Sequence, residues 1–458
     1  MLGMDTTKSI RAEMEHVRLG DVRLEERAKR LLERVAAQPQ GTLAGAMQSR
    51  AETVAAYRFL NNDSLGADVL LQAHRAASVQ RMQAHARVLC LVDSSFIGYG
   101  HRAPVEGLGP HNRGSDNGFF IHPTFAVSPE GLALGTVHWH SWVREAALDK
   151  HKTQASRPVN AKESARWLQS HAAVVALQAE VAQTRLCFLA DREGDFYELL
   201  EQAHNAPVDF IIRAKGARLL EPGWRISEPP ADVPALGTVS FQMSARAGHA
   251  PRQVTQKVWA RRCALSARRG STRTAAVEVN VLWASEVDSP AGQEAVHWIL
   301  LTNLPVHTLA QAVEIIDNYR LRWRIEMLFD ALKNTCHIEE SQLRGATALQ
   351  NLCALNLIVA WRILFMMTLS RTCPHEPAHC VFAPDELDVL TRAVSLYNKR
   401  TFKLDTLQQA VTALAMLGGY LARKNDKPPG IKILARGYER LRLLTDFQRL
   451  SSSQGTCV

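Results

Sequence analysis

Two apolar runs of strand length, each closing on an aspartate, restrict the fold more than any other feature of the chain. Arg87-Val-Leu-Cys-Leu-Val-Asp93 is the first, and Thr184-Arg-Leu-Cys-Phe-Leu-Ala-Asp191 is the second. Unbroken runs of this length read as strands with little exposed surface. Between them, Phe119 to Val127 and Leu132 to His140 read as strands joined by the turn Ser128-Pro-Glu-Gly131, so the two should form a hairpin. Ala161 to Gln183 then has helical spacing, and after Asp191 come a helix through Phe196 to Ala203 and a strand from Val208 to Lys215.

The order is strand, strand, strand, helix, strand, helix, strand, which is that of a ribonuclease-H-like α/β domain with helices flanking a mixed sheet. From Lys215 to about residue 300 the pattern changes to short alternating runs such as Ala276-Val-Glu-Val-Asn-Val-Leu-Trp283, so an inserted β subdomain is expected over about 217–300. Thr308-x-x-Gln311 is a capping box that should open the next helix.

That helix carries the densest pattern in the sequence, Asp317 to Lys333, read as D-N-Y-R-L-R-W-R-I-E-M-L-F-D-A-L-K. If it is continuous, placing Tyr319 at zero puts Arg322 at about 300°, Glu326 at about 340° and Lys333 at about 320°, beside a core stripe of Leu321, Ile325, Leu328, Phe329 and Leu332. A solvated helix laced with ion pairs would look similar. The excess of cation around a single Glu, with Trp323 off the core face, looks more like a phosphate-and-base surface.

The spacing Tyr-x2-Arg-x3-Glu-x6-Lys, filled by Tyr319, Arg322, Glu326 and Lys333, resembles the signature of the bacterial cut-and-paste DDE transposases, the insertion-sequence-four group with its transposon-five-like members. The stretch from Trp298 to Gln311 also looks like that group. The resemblance implies a DNA transposase that cleaves at transposon ends, forms a hairpin and transfers the freed strand into target DNA. It further implies two Mg²⁺ ions per active site, with Mn²⁺ an alternative, bound by Asp93, Asp191 and Glu326. In-line attack on a phosphodiester needs carboxylates from separate elements to converge on such ions. By residue type alone Glu193 or Asp195 could replace Asp191, and Asp330 could replace Glu326; the resemblance selects Asp191, which opens an Asp-Arg-Glu box, and Glu326, which has the right offset. It gives Tyr319, Arg322 and Lys333 the flanking phosphates, and Trp298 a flipped base. Trp323 is either a wedge in the duplex or a packing residue, and Arg213 and Lys215 are further candidates for DNA contact.

Composition agrees with a polyanionic partner, the formal charge of the 458 residues being +9. At this length two or three domains are expected. No run of 18 apolar residues occurs, so a soluble protein that is not exported is expected, and the resemblance implies a bacterial, cytoplasmic one, nucleoid-associated when DNA-bound. Eight scattered cysteines suit reduced thiols. Cys373, His375, His379 and Cys380 fit no common zinc spacing and are expected in a surface loop.

Residues 1–80 read as helices, with Asp21 a plausible N-cap and Arg23, Arg27, Arg30 and Arg34 on one face of the first. A second helix includes Tyr57-Arg58-Phe59 and stops at Asn61-Asn62. The resemblance makes 1–80 the DNA-end-binding domain, with Arg23, Arg27, Arg30, Tyr57 and Arg58 toward DNA. It makes 81–371 the catalytic domain and 372–458 a helical dimerisation domain, closing a homodimer in the DNA-bound synaptic complex. Two other readings compete: a non-catalytic DNA-binding regulator, which would be expected to have lost a carboxylate, and a structure-selective nuclease on the same fold.

Overall fold

The computed structural model describes residues 9–100, 105–111, 117–144, 163–216, 218–220, 224–243, 250–265, 277–399 and 401–454. In chain order the first helices are α1 (Val22–Ala37), α2 (Leu43–Ala46), α3 (Arg50–Leu60) and α4 (Ala67–Met82). Strands β1 (Arg87–Val92), β2 (Ser95–Gly98), β3 (Gly109–Pro110), β4 (Asn117–Ile121), β5 (Thr124–Val127), β6 (Ala133–His138) and β7 (Ser141–Trp142) follow. Then come α5 (Ala165–Glu180), β8 (Arg185–Ala190), α6 (Tyr197–His204) and β9 (Asp209–Arg213). The next strands are β10 (Leu219–Leu220), β11 (Trp224–Arg225), β12 (Gly237–Met243), β13 (Arg252–Leu265), β14 (Val277–Glu286) and β15 (His297–Thr302). The remaining helices are α7 (Leu309–Arg320), α8 (Trp323–Asn334), α9 (Ala346–Thr372), α10 (Pro384–Asn398), α11 (Leu407–Leu417) and α12 (Ile431–Gln454).

The chain divides into two compact units. One, the sheet unit, comprises Ala86–Asp93 and His151–Trp323; the other, the helical unit, comprises Met1–His85, Ser94–Lys150 and Arg324–Val458.

In the sheet unit β1, β8 and β9 are parallel neighbours, and β15 joins β9 antiparallel. β14 and β13 continue the sheet, and β13 pairs with both β12 and β10. β8 is apolar from Leu186 to Ala190 because both faces are covered: these residues are all fully buried. The mixed sheet flanked by helices is the expected ribonuclease-H-like arrangement. The β-rich segment that follows β9 extends this same sheet through β14 and β13.

The core of the helical unit is α9. By length and composition this 27-residue helix, with a mean hydropathy of 2.0, could cross a membrane, yet its apolar stretch is entirely buried. α1, α3, α4, α11 and α12 pack around it. β5 and β6 form the expected antiparallel hairpin across Ser128–Leu132. The run Phe119 to Val127 is nevertheless two strands, since Pro123 lies between β4 and β5 and cannot donate to a ladder. β4 belongs to a separate small sheet with β2, β3 and β7.

Two further expectations are corrected. The helix through Tyr319 and Lys333 is not continuous. α7, opened by the Thr308–Gln311 capping box, ends at Arg320, and α8 begins at Trp323. The Leu321 N–H is shared by the carbonyls of Asp317 and Asn318, and the Arg322 N–H reaches Tyr319 at 3.0 Å, so the last turn tightens and stops. The segment with Cys373, His375, His379 and Cys380 is more than a surface loop: Ala378 to Phe382 are buried, except for His379. Among the described residues neither of its cysteines is in a disulfide, and no three His, Cys, Asp or Glu side chains are gathered closely enough to hold a metal ion.

Candidate active site

β1 and β8 place the first two carboxylates. Their parallel register sets Val92 against Ala190, so Asp93 and Asp191 leave the sheet side by side, on strands about 4.8 Å apart. A guanidinium nitrogen of Arg322 donates to Asp93 Oδ2 at 2.9 Å. Both side chains of this pair are partly open, 19% for Asp93 and 14% for Arg322. Asp191 Oδ1 accepts from the Glu193 N–H at 2.8 Å and so caps the short turn Arg192–Gly194.

The rival acids of that turn are committed elsewhere. Asp195, 4% exposed, accepts from Arg218 Nε at 2.5 Å and from the Lys215 N–H at 2.6 Å. Glu193 pairs with Arg166 at 3.2 Å. In α8 Asp330 accepts from the Asn334 amide at 2.7 Å.

Behind the aspartates lies a cluster from α7, β9 and β15. Burial raises the Tyr319 phenol above its usual range, and the charges of Arg322 and Arg213 oppose that rise; Asp191 is close enough to reinforce it. Burial also lowers the Arg213 guanidinium, against the pull of Tyr319. Arg213 donates to the His297 carbonyl at 3.1 Å. Trp298 meets Tyr319 edge-on, with centroids 5.9 Å apart, and stacks nearly parallel on Phe241 at 5.6 Å and 9°. The Arg320 guanidinium lies 4.4 Å from the Phe241 centroid. Phe241 was invisible as a site residue in the sequence, because only strand pairing carries β12 to this place.

The sheet unit therefore brings together Asp93, Asp191, Arg322, Tyr319, Arg213 and Trp298. Lys215 lies past the end of β9, exposed, with its Nζ 3.4 Å from the Asp195 carbonyl. Trp323 is 53% exposed.

In the helical unit Glu326 occupies the first turn of α8 and is half-buried. Lys333, in its last turn, donates from Nζ to the Phe96 carbonyl at 2.6 Å and pairs with Glu339 at 3.5 Å. Glu339 also accepts from the Gly98 N–H at 2.9 Å, an anchor with no sequence signal. On α1, Asp21 is the N-cap, and Arg23, Arg27 and Arg30 are exposed. Arg34 instead turns to Gln48 and Glu52. On α3, Tyr57 and Arg58 are exposed while Phe59 and Leu60 are core.

Two adjacent carboxylates are hard oxygen donors of the kind Mg²⁺ takes, since that ion keeps several waters and uses one or two protein carboxylates. The pair at the ends of β1 and β8 has the donor chemistry a divalent cation takes, and no three-ligand cluster is present among the described residues.

Three family models match the chain. Residues 7–65 match a transposase DNA-binding family, residues 152–362 the transposase DDE domain, and residues 358–456 the transposase Tn5 dimerisation domain. The DDE match contains Asp191 and Glu326 but starts after Asp93. Among solved structures, a piggyBac transposase synaptic complex with hairpin DNA aligns over 83% of this chain at 9% identity, with a TM-score of 0.36. The chain spans 57% of that protein's length.

Proposed function

Because the chain belongs to the transposon-five-like DDE transposases, we propose that it is a DNA transposase, cutting at the ends of a mobile element and joining the freed ends to target DNA. The observation that carries this reading is the placement of Asp93 and Asp191 side by side at the ends of paired parallel strands, with Arg322 bonded to the first.

Asp93, Asp191 and Glu326 are the residues assigned to hold two Mg²⁺ ions, or Mn²⁺ in their place. When bound, these ions activate the attacking water or 3′-hydroxyl and neutralise charge on the leaving oxygen. Arg322 fixes the Asp93 carboxylate, and its charge draws a phosphate toward the site. The cations of Arg213 and Lys333, with the Tyr319 hydroxyl, add grip on the flanking phosphates, and this grip weakens as salt rises. Trp298, already held flat by Phe241, takes a flipped base as a hairpin closes on the element end. Lys215 and the exposed Trp323 are further contacts for the strand.

Arg23, Arg27 and Arg30 of α1, with Tyr57 and Arg58 of α3, read the element end. The C-terminal helix supports a homodimer in the synaptic complex: Leu443, Phe447 and Leu450 are each about two-thirds or more exposed and recur at helical spacing along α12. The domains proposed earlier, 1–80, 81–371 and 372–458, then serve end binding, catalysis and dimerisation. Such a protein acts in the bacterial cytoplasm, on the nucleoid.

The test is cleavage of a labelled duplex bearing the element end, with Mg²⁺, by the wild type and by Glu326→Ala. Nicked and hairpin products from the wild type, lost in the variant with DNA binding retained, are expected. Cleavage that survives in the variant removes Glu326 from the site, and binding without cleavage by either protein overturns the enzymatic reading.

A further inference from the structure

We infer that the start of α12, with the linker that joins α11 to it, is a docking surface for a duplex of target DNA. Between Gly418 and Arg440 the chain carries six Lys and Arg against two acids. Lys432, Arg436 and Arg440 recur at four-residue spacing, so they share one face of α12 as a stripe about 12 Å long. Arg423, Lys424 and Lys427 stand in the linker, and all six side chains are exposed. The neighbouring helices hold this surface in shape. Arg436 donates to the Gly418 carbonyl at 3.4 Å and Arg440 to the Leu417 carbonyl at 2.7 Å, which caps the end of α11. A Cβ on Gly418 would collide with the Ile433 carbonyl, so only glycine lets the linker approach the helix this closely. From the end of α9, exposed Arg371 donates to the Pro429 carbonyl at 3.0 Å and adds a seventh charge.

Cations on a solvated helical surface ordinarily find a carboxylate partner. Others in the same region do: Arg392 pairs with Asp388, Arg442 with Glu386 and Arg449 with Asp385. Among the described residues none of these seven makes an ion pair with a carboxylate. Asp426 instead accepts from the Arg423 N–H at 2.9 Å and closes a turn of the linker. Burial raises the Glu439 carboxyl, and the charge of Arg440 opposes that rise. Like charge even meets like charge here. Partial burial lowers the guanidiniums of Arg371 and Arg324, and the charge of Arg371 lowers Arg324 further. Arg324 lies in the first turn of α8, two residues before Glu326, so the positive field reaches the helix that carries the third assigned carboxylate. Uncompensated charge of one sign repels itself, and a bound polyanion relieves that repulsion.

A phosphate backbone is the complement of such a surface. Each strand of a duplex presents one charge per about 3.4 Å of axis, so a stripe of about 12 Å spans roughly three or four phosphates. Lysine and arginine contacts to phosphates hold a duplex without reading its sequence. The proposed reaction needs two DNAs, and the element end is assigned to α1 and α3, inside the stretch 7–65 that matches a DNA-binding family. The α12 stripe, the linker and Arg371 lie instead in the stretch 358–456, matched to the dimerisation domain. They are therefore left for the second DNA, the target that receives the freed ends. Leu443, Phe447 and Leu450, assigned to the dimer, follow the basic stripe in the later turns of α12. This inference rests on the transposase reading for its substrate class, DNA.

The experiment uses the full-length protein with Mg²⁺, a labelled element-end duplex and a plasmid as target, with salt varied from about 50 to 200 mM. The triple variant Arg423→Gln, Lys424→Gln, Lys427→Gln should bind and cleave the element end within about twofold of the wild type. Capture of the plasmid by its end-bound complex should fall about tenfold at about 150 mM salt, and the salt slope of capture should drop by about three. Arg423→Lys, Lys424→Arg and Lys427→Arg together keep the charge and should capture the plasmid as the wild type does. If the triple Gln variant fails to fold, Lys432→Gln alone should lower the slope by about one. Equal capture and slope in the wild type and both Gln variants, with the element end still bound and cleaved, overturn the surface alone. End binding that falls in step with capture overturns the assignment to target DNA and gives the surface to the element. A wild type that neither binds nor cleaves the element end overturns the transposase reading and the surface with it.

Discussion

Two carboxylate–guanidinium pairs of almost identical length do opposite things in this molecule. In the helical unit Glu13 meets Arg81 at 2.8 Å, with both side chains 3% exposed or less. Arg81 also donates to the Leu134 carbonyl at 2.7 Å and to Ser78 Oγ at 3.1 Å, and its guanidinium lies 4.2 Å from the Trp361 centroid. His74 Nε2 accepts from the Thr136 N–H at 3.0 Å, so its proton must sit on Nδ1, which donates to Glu13 at 2.6 Å. In the sheet unit Asp93 meets Arg322 at 2.9 Å with part of each side chain in solvent. The first pair is saturated by its own neighbours and ties the N-terminal turn Ile10–Met14 to α4. The second stands at a strand end beside another carboxylate, which gives a cation or a phosphate something to approach.

The comparison breaks most clearly by mutation of Glu13. Glu13→Gln leaves the Arg81 guanidinium buried without its counter-charge, and removing one partner of a buried pair costs about 3 to 5 kcal/mol. Urea unfolding should show that loss; a change below about 1 kcal/mol would mean the buried pair is no more structural than an exposed one.

Asp93→Asn should reverse the balance. Cleavage is expected to fall by more than about 100-fold, with stability within about 1 kcal/mol of the wild type, since the pair is partly open. A large stability loss at this position would place Asp93 with Glu13 as a framework residue.

Acid should separate the groups in a third way. Burial pushes the Glu13 carboxyl up, but the charge of Arg81 and the bonds from His74 outweigh it and bring its pKa to about 2. Burial lowers His74, and it brings His138 and His171 to about 4, in the case of His138 with help from His140 and Arg75. These histidines take up protons on unfolding before they do in the fold. Stability is therefore fully present above about pH 6.5 and falls as pH drops toward 4, by up to about 1.4 kcal/mol per pKa unit for each group. The contribution of Glu13 persists through that window and is lost only as pH falls from about 4.5 toward 2. Urea midpoints at pH 7, 5.5 and 4 check the sign, and a midpoint that rises on acidification would contradict it.

The smallest effect belongs to the exposed pair at the start of α1. Arg23, 90% exposed and 3.2 Å from Asp21, should leave the melting temperature unchanged when replaced by Ala. It should weaken binding to element-end DNA and lower the salt slope by about one. An unchanged slope would remove Arg23 from the DNA face.

Much of this was legible in the sequence because it is local. Apolar runs identified β1 and β8 and the aspartates that end them, Asp21 and the Thr308–Gln311 box marked helix starts, and the Tyr, Arg, Glu and Lys spacing identified the family. Local pattern could not place the break between α7 and α8: a helical wheel assumes the helix it describes, while the chain at Leu321 and Arg322 follows tertiary demand, here the reach of Arg322 to Asp93. Nor could it see that Pro123 sends β4 and β5 to different partners.

The tertiary structure alone chose which charges are framework and which are site. Glu13 and Asp93 are both acids near arginines in a basic chain, and nothing in residue type or spacing separates them. What separates them is how many neighbours close around each, and those neighbours come from residues as distant as Leu134 and Trp361 on one side and Arg322 on the other. The same holds for Arg371, Arg436 and Arg440, three scattered cations until the packing of α9, α11 and α12 brings them to one surface. Sequence sets the periodicities and the chemistry available, but burial and register are properties of contacts between distant segments, and only the folded chain assigns them.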